Sequence, residues 1–251
     1  MSVNKSHIVS VNDSDKDSVN YENCWVNNFM TFKNCSPEIK QELINNTKTK
    51  EYSKGEYLIK IGEAESGVFF IQSGKVKISK KGYGKKEFIL WVAESGDLVG
   101  LNSFIDNEAF SYSAIAIDPV KACFILSSDL KKILQKEPLL SAHLIKNLCE
   151  KLNTIEHRIT NISGKKIREQ CAELLISIAS KHDRLDKKNF IIDYSINDMA
   201  GFIGTTKNYL YKILTEFTNK KILLVHNRKL IVNNIEALSL IAKGNDKQNL
   251  S

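Results

Sequence analysis

The chain has 251 residues, 42% of them hydrophobic and 26% charged, with a formal net charge of +7. That length supports two modest cores or one large one. No apolar run reaches the roughly 20 residues of a membrane-spanning helix, and the N-terminus lacks the basic and apolar regions of a signal peptide. Five cysteines without close pairing argue against a disulfide framework and fit a reducing, cytoplasmic compartment.

Residues 1–20 are rich in Ser, Asn, Asp and Val with no helical or strand period, so a mobile tail is expected there. Serines 2, 6, 10, 14 and 18 fall every fourth residue, which is read as coincidence in a low-complexity stretch. From 21 to 136 a β-rich domain is expected. Short β-branched and aromatic runs at 56–61, 67–72, 75–80, 87–92, 111–117 and 121–126 alternate with turn signals at Gly55, Gly62, Gly74, Gly82, Gly84, Gly96 and Pro119. Such spacing predicts a small antiparallel barrel or sandwich.

After Pro138 the period changes. Leu140, Leu144, Leu148, Leu152, Ile155, Ile159 and Ile162 step by threes and fours, which predicts one long helix over 137–162. A helix of that length cannot cover its stripe on a small barrel alone. A homodimer seam through Leu144, Leu148, Leu152, Ile155 and Ile159 is therefore expected, the alternative being a helix packed wholly within one chain. Gly164 interrupts the period, a hinge is placed at Ser163-Gly164, and a new helix restarts over 165–181.

The remaining segment, 163–251, carries 15 Lys plus Arg against 9 Asp plus Glu, so nearly all of the basic excess lies there. Uneven charge of this kind is the footprint of a nucleic-acid-binding half. Between Ile196 and Phe217 the chain has helix-turn-helix spacing: Ala200 where two helices cross closely and Gly204 four positions later for an unusual φ. Met199, Ile203, Leu210, Ile213, Leu214 and Phe217 form the apolar stripe. Thr205 and Thr206 lead into the second helix, and Lys207, Asn208, Tyr211, Lys212 and Thr215 share its other face. A plain two-helix corner with a solvated polar face is the competing reading. Against it stand two apolar runs, Ile222 to Val225 and Leu230 to Val232, joined by His226, Asn227, Arg228 and Lys229. These predict a wing whose Asn227, Arg228 and Lys229 meet the phosphate backbone.

The order of barrel, long helix, hinge and winged helix resembles the cyclic-AMP receptor/FNR (Crp/Fnr) family of bacterial transcription regulators over nearly the whole chain. The specific echoes are Lys54-Gly-Glu-Tyr-Leu58, Gly67-Val-Phe-Phe-Ile-Gln-Ser-Gly-Lys-Val-Lys-Ile78, Gly96-Asp-Leu-Val-Gly100 and the helix-turn-helix. The resemblance implies an α+β architecture: a cyclic-nucleotide-binding-like β-roll, a dimerisation helix and a C-terminal winged helix-turn-helix. It further implies a homodimer on double-stranded, palindromic DNA, contact with RNA polymerase when it activates, and a small-molecule signal at the β-roll. The positions matching the family's effector pocket are Leu101, Asn102, Ser103, Tyr112 and Ser113.

Three departures from the family bear on mechanism. Cyclic-nucleotide-binding members hold the cyclic phosphate with an Arg-Ser pair, whereas Tyr112 aligns with that arginine here, and no Arg occurs from residue 1 to 155. Without a guanidinium fork, cyclic-AMP binding in the usual manner is not expected. Cys24, Cys35 and Cys123 lack the close spacing of the iron–sulfur branch, and His7, His143 and His157 do not suggest a haem site, so no metal and no cofactor is expected. On the reading helix, Asn208 and Lys212 stand where members commonly carry Glu and Arg, which points to an operator richer in A·T. No nucleophile elbow, phosphate-binding glycine loop or metal-ligand pair suggests catalysis. The alternative function is a cyclic-nucleotide-type small-molecule-binding module acting through protein partners.

Overall fold

In the computed structural model, the described residues are 26, 29–64, 66–82, 87–180, 190–192, 194–226 and 229–245. The expected tail at 1–20 lies outside them, as do Cys24, Asn227 and Arg228. Two compact units divide the chain. One is Met1–Lys80 with Leu90–Asn153, and the other is Lys81–Ile89 with Thr154–Ser251.

The first unit opens on a 3-10 turn, Met30–Phe32, and helix α1, Pro37–Asn46. Ser36 caps α1 by accepting from the Ile39 N–H at 3.3 Å, and Pro37 occupies the first turn, where its missing N–H costs nothing. Among the described residues, eight strands follow in two four-stranded sheets. The first is ordered β1-β8-β3-β6, with β1 Thr47–Tyr52, β3 Gly67–Ser73, β6 Leu98–Val99 and β8 Val120–Leu126. The second is ordered β2-β7-β4-β5, with β2 Tyr57–Ile59, β4 Val76–Lys81, β5 Glu87–Ala93 and β7 Ser113–Ala116. The recorded strand pairs are antiparallel.

Strand β3 shows why the roll closes. Its side chains alternate, as a pleated strand requires: Phe69 and Ile71 enter the core with Val76, Ile78, Ala114 and Ala122, while Val68 and Phe70 meet the helices on the other face. A strand buried on both faces reads as the unbroken apolar run Val68 to Ile71. Gly67 has no room for a side chain, because a Cβ there would fall on the Ile125 carbonyl oxygen. Helices α2, Leu101–Asp106, α3, Ser127–Lys136, and the first part of α4, Pro138–Gly164, cover the outer face with Leu101, Phe104, Leu130, Ile133, Leu140 and Leu144.

The second unit has its own core. Helix α5, Ile167–Ser180, contributes Cys171, Ala172, Leu175, Ile178 and Ala179, and α8, Ile235–Ala242, contributes Leu238 and Ile241. Between them lie β9, Phe190–Ile192, helices α6, Ile196–Ile203, and α7, Lys207–Asn219, then β10, Leu223–His226, and β11, Lys229–Val232. The small antiparallel sheet is ordered β10-β11-β9.

Several elements differ from the sequence expectation. Helix α4 runs through Gly164, and the chain leaves helical geometry one residue later, at Lys165 and Lys166. A glycine near a helix end weakens it without having to end it. The linker is pinned: Lys165 Nζ reaches Glu173 Oε2 at 3.0 Å, the Lys165 carbonyl accepts from Gln170 Nε2 at 2.8 Å, and the Lys166 N–H donates to Glu169 Oε2 at 3.0 Å. Strands β1, β6 and β9 and helices α1, α2, α3 and α8 have no counterpart in the expectation. Strand β1, Thr-Lys-Thr-Lys-Glu-Tyr, lies at a sheet edge, where lysines blunt the strand against further pairing but hide its pattern.

Candidate nucleic-acid interface

The helix-turn-helix is built by capping. Ser195 Oγ accepts from the Asp198 N–H at 3.0 Å and starts α6. Gly204 then ends it at φ 72°, and both Gly204 N and Thr205 N donate to the Ala200 carbonyl. Such a left-handed cap is cheap only for glycine or a short polar residue. Thr206 caps α7 by accepting from the Tyr209 N–H at 3.3 Å. Met199, Ala200, Ile203, Leu210, Ile213, Leu214 and Phe217 are all buried in the unit's core.

Packing on that stripe turns the opposite face of α7 outward. Thr206, Lys207, Asn208, Tyr211, Lys212 and Thr215 are exposed, and Thr205 is half-buried. Tyr211 is 60% exposed. Its ring therefore lies in solvent beside Lys207, Asn208 and Lys212. Thr215 turns inward on its own helix, donating to the Tyr211 carbonyl at 2.9 Å. Sequence reasoning missed Tyr209, which is 51% exposed and flanks the reading face on its Glu216 side. Its i+2 spacing from Tyr211 hides this, since such residues do not share a helix face.

Arg168 does not belong to the interface. Its Nε donates to Glu216 Oε1 at 3.0 Å and its guanidinium lies 5.4 Å from the Phe217 ring centroid, so it locks α5 to α7. In the wing, β10 pairs with β11 through His226 opposite Lys229, and Lys229 is exposed.

The five β-roll positions lie in packed or hydrogen-bonded surroundings. Leu101 and Ser103 are buried, and Leu101 belongs to the core under the helices. Asn102 Nδ2 donates to Ser111 Oγ at 3.2 Å, and Ser113 Oγ accepts from the Ile61 N–H at 3.1 Å. Tyr112 is 3% exposed, its ring stands edge-on to Trp91 at 5.6 Å, and its hydroxyl accepts from the Gly100 N–H at 2.7 Å. That backbone N–H opens α2, the kind of donor an anion would take. The phenol occupies it instead.

Burial pushes the Tyr112 hydroxyl up to about 12, although its bond to Gly100 opposes this. A raised pKa in the folded state means stability that is complete below the ordinary value of 10 and is lost as pH rises from 10 toward 12. Tyr112→Phe should therefore flatten that alkaline loss. At neutral pH the variant should cost roughly 1–3 kcal/mol by leaving the buried Gly100 N–H unpaired, and denaturant titrations at pH 7 and pH 11 would check both.

Against known proteins, the cyclic nucleotide-binding domain family matches residues 49–137. The chain is 25% identical over 206 residues to the fumarate and nitrate reduction regulatory protein of Yersinia pestis, covering 80% of each. It is 19% identical over 214 residues to a CRP-like cAMP-activated global transcriptional regulator of Mycobacterium tuberculosis, covering 84% of this chain and 96% of that one. A crystal structure of a crp/fnr-family transcriptional regulator from Eubacterium rectale superposes with a TM-score of 0.73 at 14% identity, over 86% of this chain and 99% of that one. The chain is thus similar, over most of its length, to regulators of the Crp/Fnr type.

Cys35, Cys123 and Cys171 are buried, and Cys149 is exposed. Burial raises the thiols of Cys35 and Cys171, the latter to about 12, so neither is poised as a thiolate. Cys123 Sγ takes Gln72 Nε2 at 2.8 Å and sits 3.6 Å from Thr49 Oγ1. Among the described residues no group of three or more His, Cys, Asp or Glu is arranged to hold a metal ion, and no helix is long and apolar enough to cross a membrane.

Proposed function

We propose that this chain is a cytoplasmic, sequence-specific regulator of the Crp/Fnr type that binds a palindromic operator as a homodimer, without cyclic AMP as its signal. The observation that carries the proposal is the exposed row Lys207, Asn208, Tyr211 and Lys212 on a helix whose other face is locked into a core. In this reading Asn208 pairs with adenine N6/N7, Tyr211 lies on a thymine methyl, and Lys212 donates to guanine or phosphate. Thr205 and Thr206 bring the α7 N-terminus and its backbone donors to a phosphate. Asn227, Arg228 and Lys229 of the wing serve the second strand's backbone in the same reading.

The exposed side of α4 supports the dimer. Leu144 is buried in the β-roll unit's own core and Leu148 packs against it. Ile145, Leu152 and Ile159 are exposed and recur every seven residues, with Cys149 between them and Ile155 half-buried at the margin. That is a coiled-coil seam, shifted from the expected Leu144 and Leu148 toward Ile145. Two copies joined there would set their α7 helices roughly 34 Å apart, in successive major grooves.

Effector control is assigned to the β-roll without a nucleotide phosphate. By the resemblance, Tyr112 stands where the family's phosphate-binding arginine would be, and its hydroxyl accepts from the Gly100 N–H. Leu101, Asn102, Ser103 and Ser113 remain the proposed surroundings of any signal that acts there.

The test is base by base. Asn208→Ala should relax preference at one operator position by about 1–3 kcal/mol, read from binding of single-base operator variants. Equal weakening on every sequence would reassign Asn208 to the phosphate backbone.

A further inference from the structure

The stretch from Asp97 to Gly100 joins the inside of the β-roll to helix α4, and all of these groups lie within the first unit. Val99 belongs to the roll's interior core with Tyr112. Leu98 points the other way, as a strand requires, into the core that holds Leu140 and Leu144 of α4. At one end of the stretch the Gly100 N–H donates to the Tyr112 hydroxyl at 2.7 Å. At the other end the Asp97 carboxylate takes Lys151 Nζ of α4 at 2.5 Å.

Both ends are held in place by their own surroundings. Asp97 Oδ2 accepts from the Glu94 N–H at 3.0 Å, and the Asp97 carbonyl accepts from the Ile71 N–H at 3.0 Å, so the carboxylate is aimed before Lys151 reaches it. The side chains of Lys151 and Asp97 are 23% and 21% exposed. Removing one partner of a pair so far withdrawn from water leaves the other charge poorly solvated. Gly100 sits at φ 100°, and a Cβ there would stand 3.0 Å from the Gly67 carbonyl oxygen, so close backbone packing fixes the direction of its N–H.

The position of Lys151 on α4 gives the ion pair its consequence. Lys151 continues the stripe of Leu140, Leu144 and Leu148 by one more turn on the side facing the roll, whereas among the described residues the apolar core takes in α4 only as far as Leu148. Its neighbour Leu152 is exposed, on the side proposed as the dimer seam. The pair therefore sets how α4 is rotated on the roll and which side chains it turns outward. We propose that Tyr112 is a built-in effector: by taking the Gly100 N–H from inside the roll it fixes the Asp97 to Gly100 stretch, which clamps α4 at Lys151 with the seam outward and no small molecule bound. Tyr112 is here a positioning residue. Its effect on assembly rests on the dimer reading, while the clamp itself belongs to one folded chain.

Hydrogen exchange on the full-length protein without DNA reads the clamp over residues 148–153. Tyr112→Phe keeps the ring and removes the bond, so it should speed exchange there by at least about tenfold more than in α1 of the same unit. Lys151→Gln should do the same, and the two together should do no more than either alone, because groups in one network are not additive. In Tyr112→Ala, added phenol should restore slow exchange, and benzene, which fills the cavity without a hydroxyl, should not. The dimer dissociation constant, from sedimentation equilibrium, should rise by at least about tenfold in Tyr112→Phe. Unchanged exchange at 148–153 in Tyr112→Phe, additive effects of the two substitutions, phenol no better than benzene, or a dimer constant unmoved by Tyr112→Phe would each overturn the built-in effector and leave operator binding standing. A wild-type protein that stays monomeric on its operator, with the exchange effects intact, would instead sink the dimer reading and keep the clamp.

Discussion

Phe217→Ala is expected to destabilise the helix-turn-helix unit by about 3–5 kcal/mol, the range for deleting a fully buried aromatic ring. Phe217 is 0% exposed and sits at the centre of a core that joins α5, α6, α7 and α8. Its ring also lies under the Arg168 guanidinium, which is held by Glu216. Removing the ring opens a cavity and loosens the tie between α5 and α7 in one step. Loss of this size is a large fraction of the roughly 5–15 kcal/mol that stabilises a typical domain, so operator binding should fail at temperatures where the wild type is intact. Denaturant unfolding of the variant, followed by far-ultraviolet circular dichroism, measures the loss. A change below about 1 kcal/mol, typical of a surface site, would mean that Phe217 is not the keystone of this core.

The second large effect is expected on assembly. Leu152→Lys with Ile159→Lys should give a monomer, because both side chains are exposed on the single chain and like charges would then face each other across the proposed seam. Operator affinity should fall by roughly 10²–10⁴-fold, the gain that linking two binding modules normally provides. Leu144→Ala is the contrast: that side chain is 3% exposed within the β-roll unit's core, so it should cost about 2–5 kcal/mol of stability with the dimer retained. Sedimentation velocity separates the cases. A dimeric double-lysine variant would remove α4 from the interface.

The helix-turn-helix was legible because two rigid steric demands, at Ala200 and Gly204, are written in consecutive residues with an unmistakable apolar period. Helix α4 was harder. It carries two apolar stripes roughly 100° apart, Leu140, Leu144 and Leu148 on one and Ile145, Leu152 and Ile159 on the other, and periodicity cannot say which one the chain keeps for itself. In the β-roll, the lack of an arginine was visible at Tyr112, but the hydrogen bond to Gly100 depends on two segments brought together by β7 and α2.

Selection of bound fragments from a randomised DNA pool, with the purified full-length protein and no added ligand, tests the central claim most directly. The account predicts enrichment of a two-fold-symmetric sequence, with A·T pairs favoured at the Asn208 and Tyr211 positions and half-site centres about one helical turn apart. Enrichment of an asymmetric site, or none from folded dimeric protein, would contradict it.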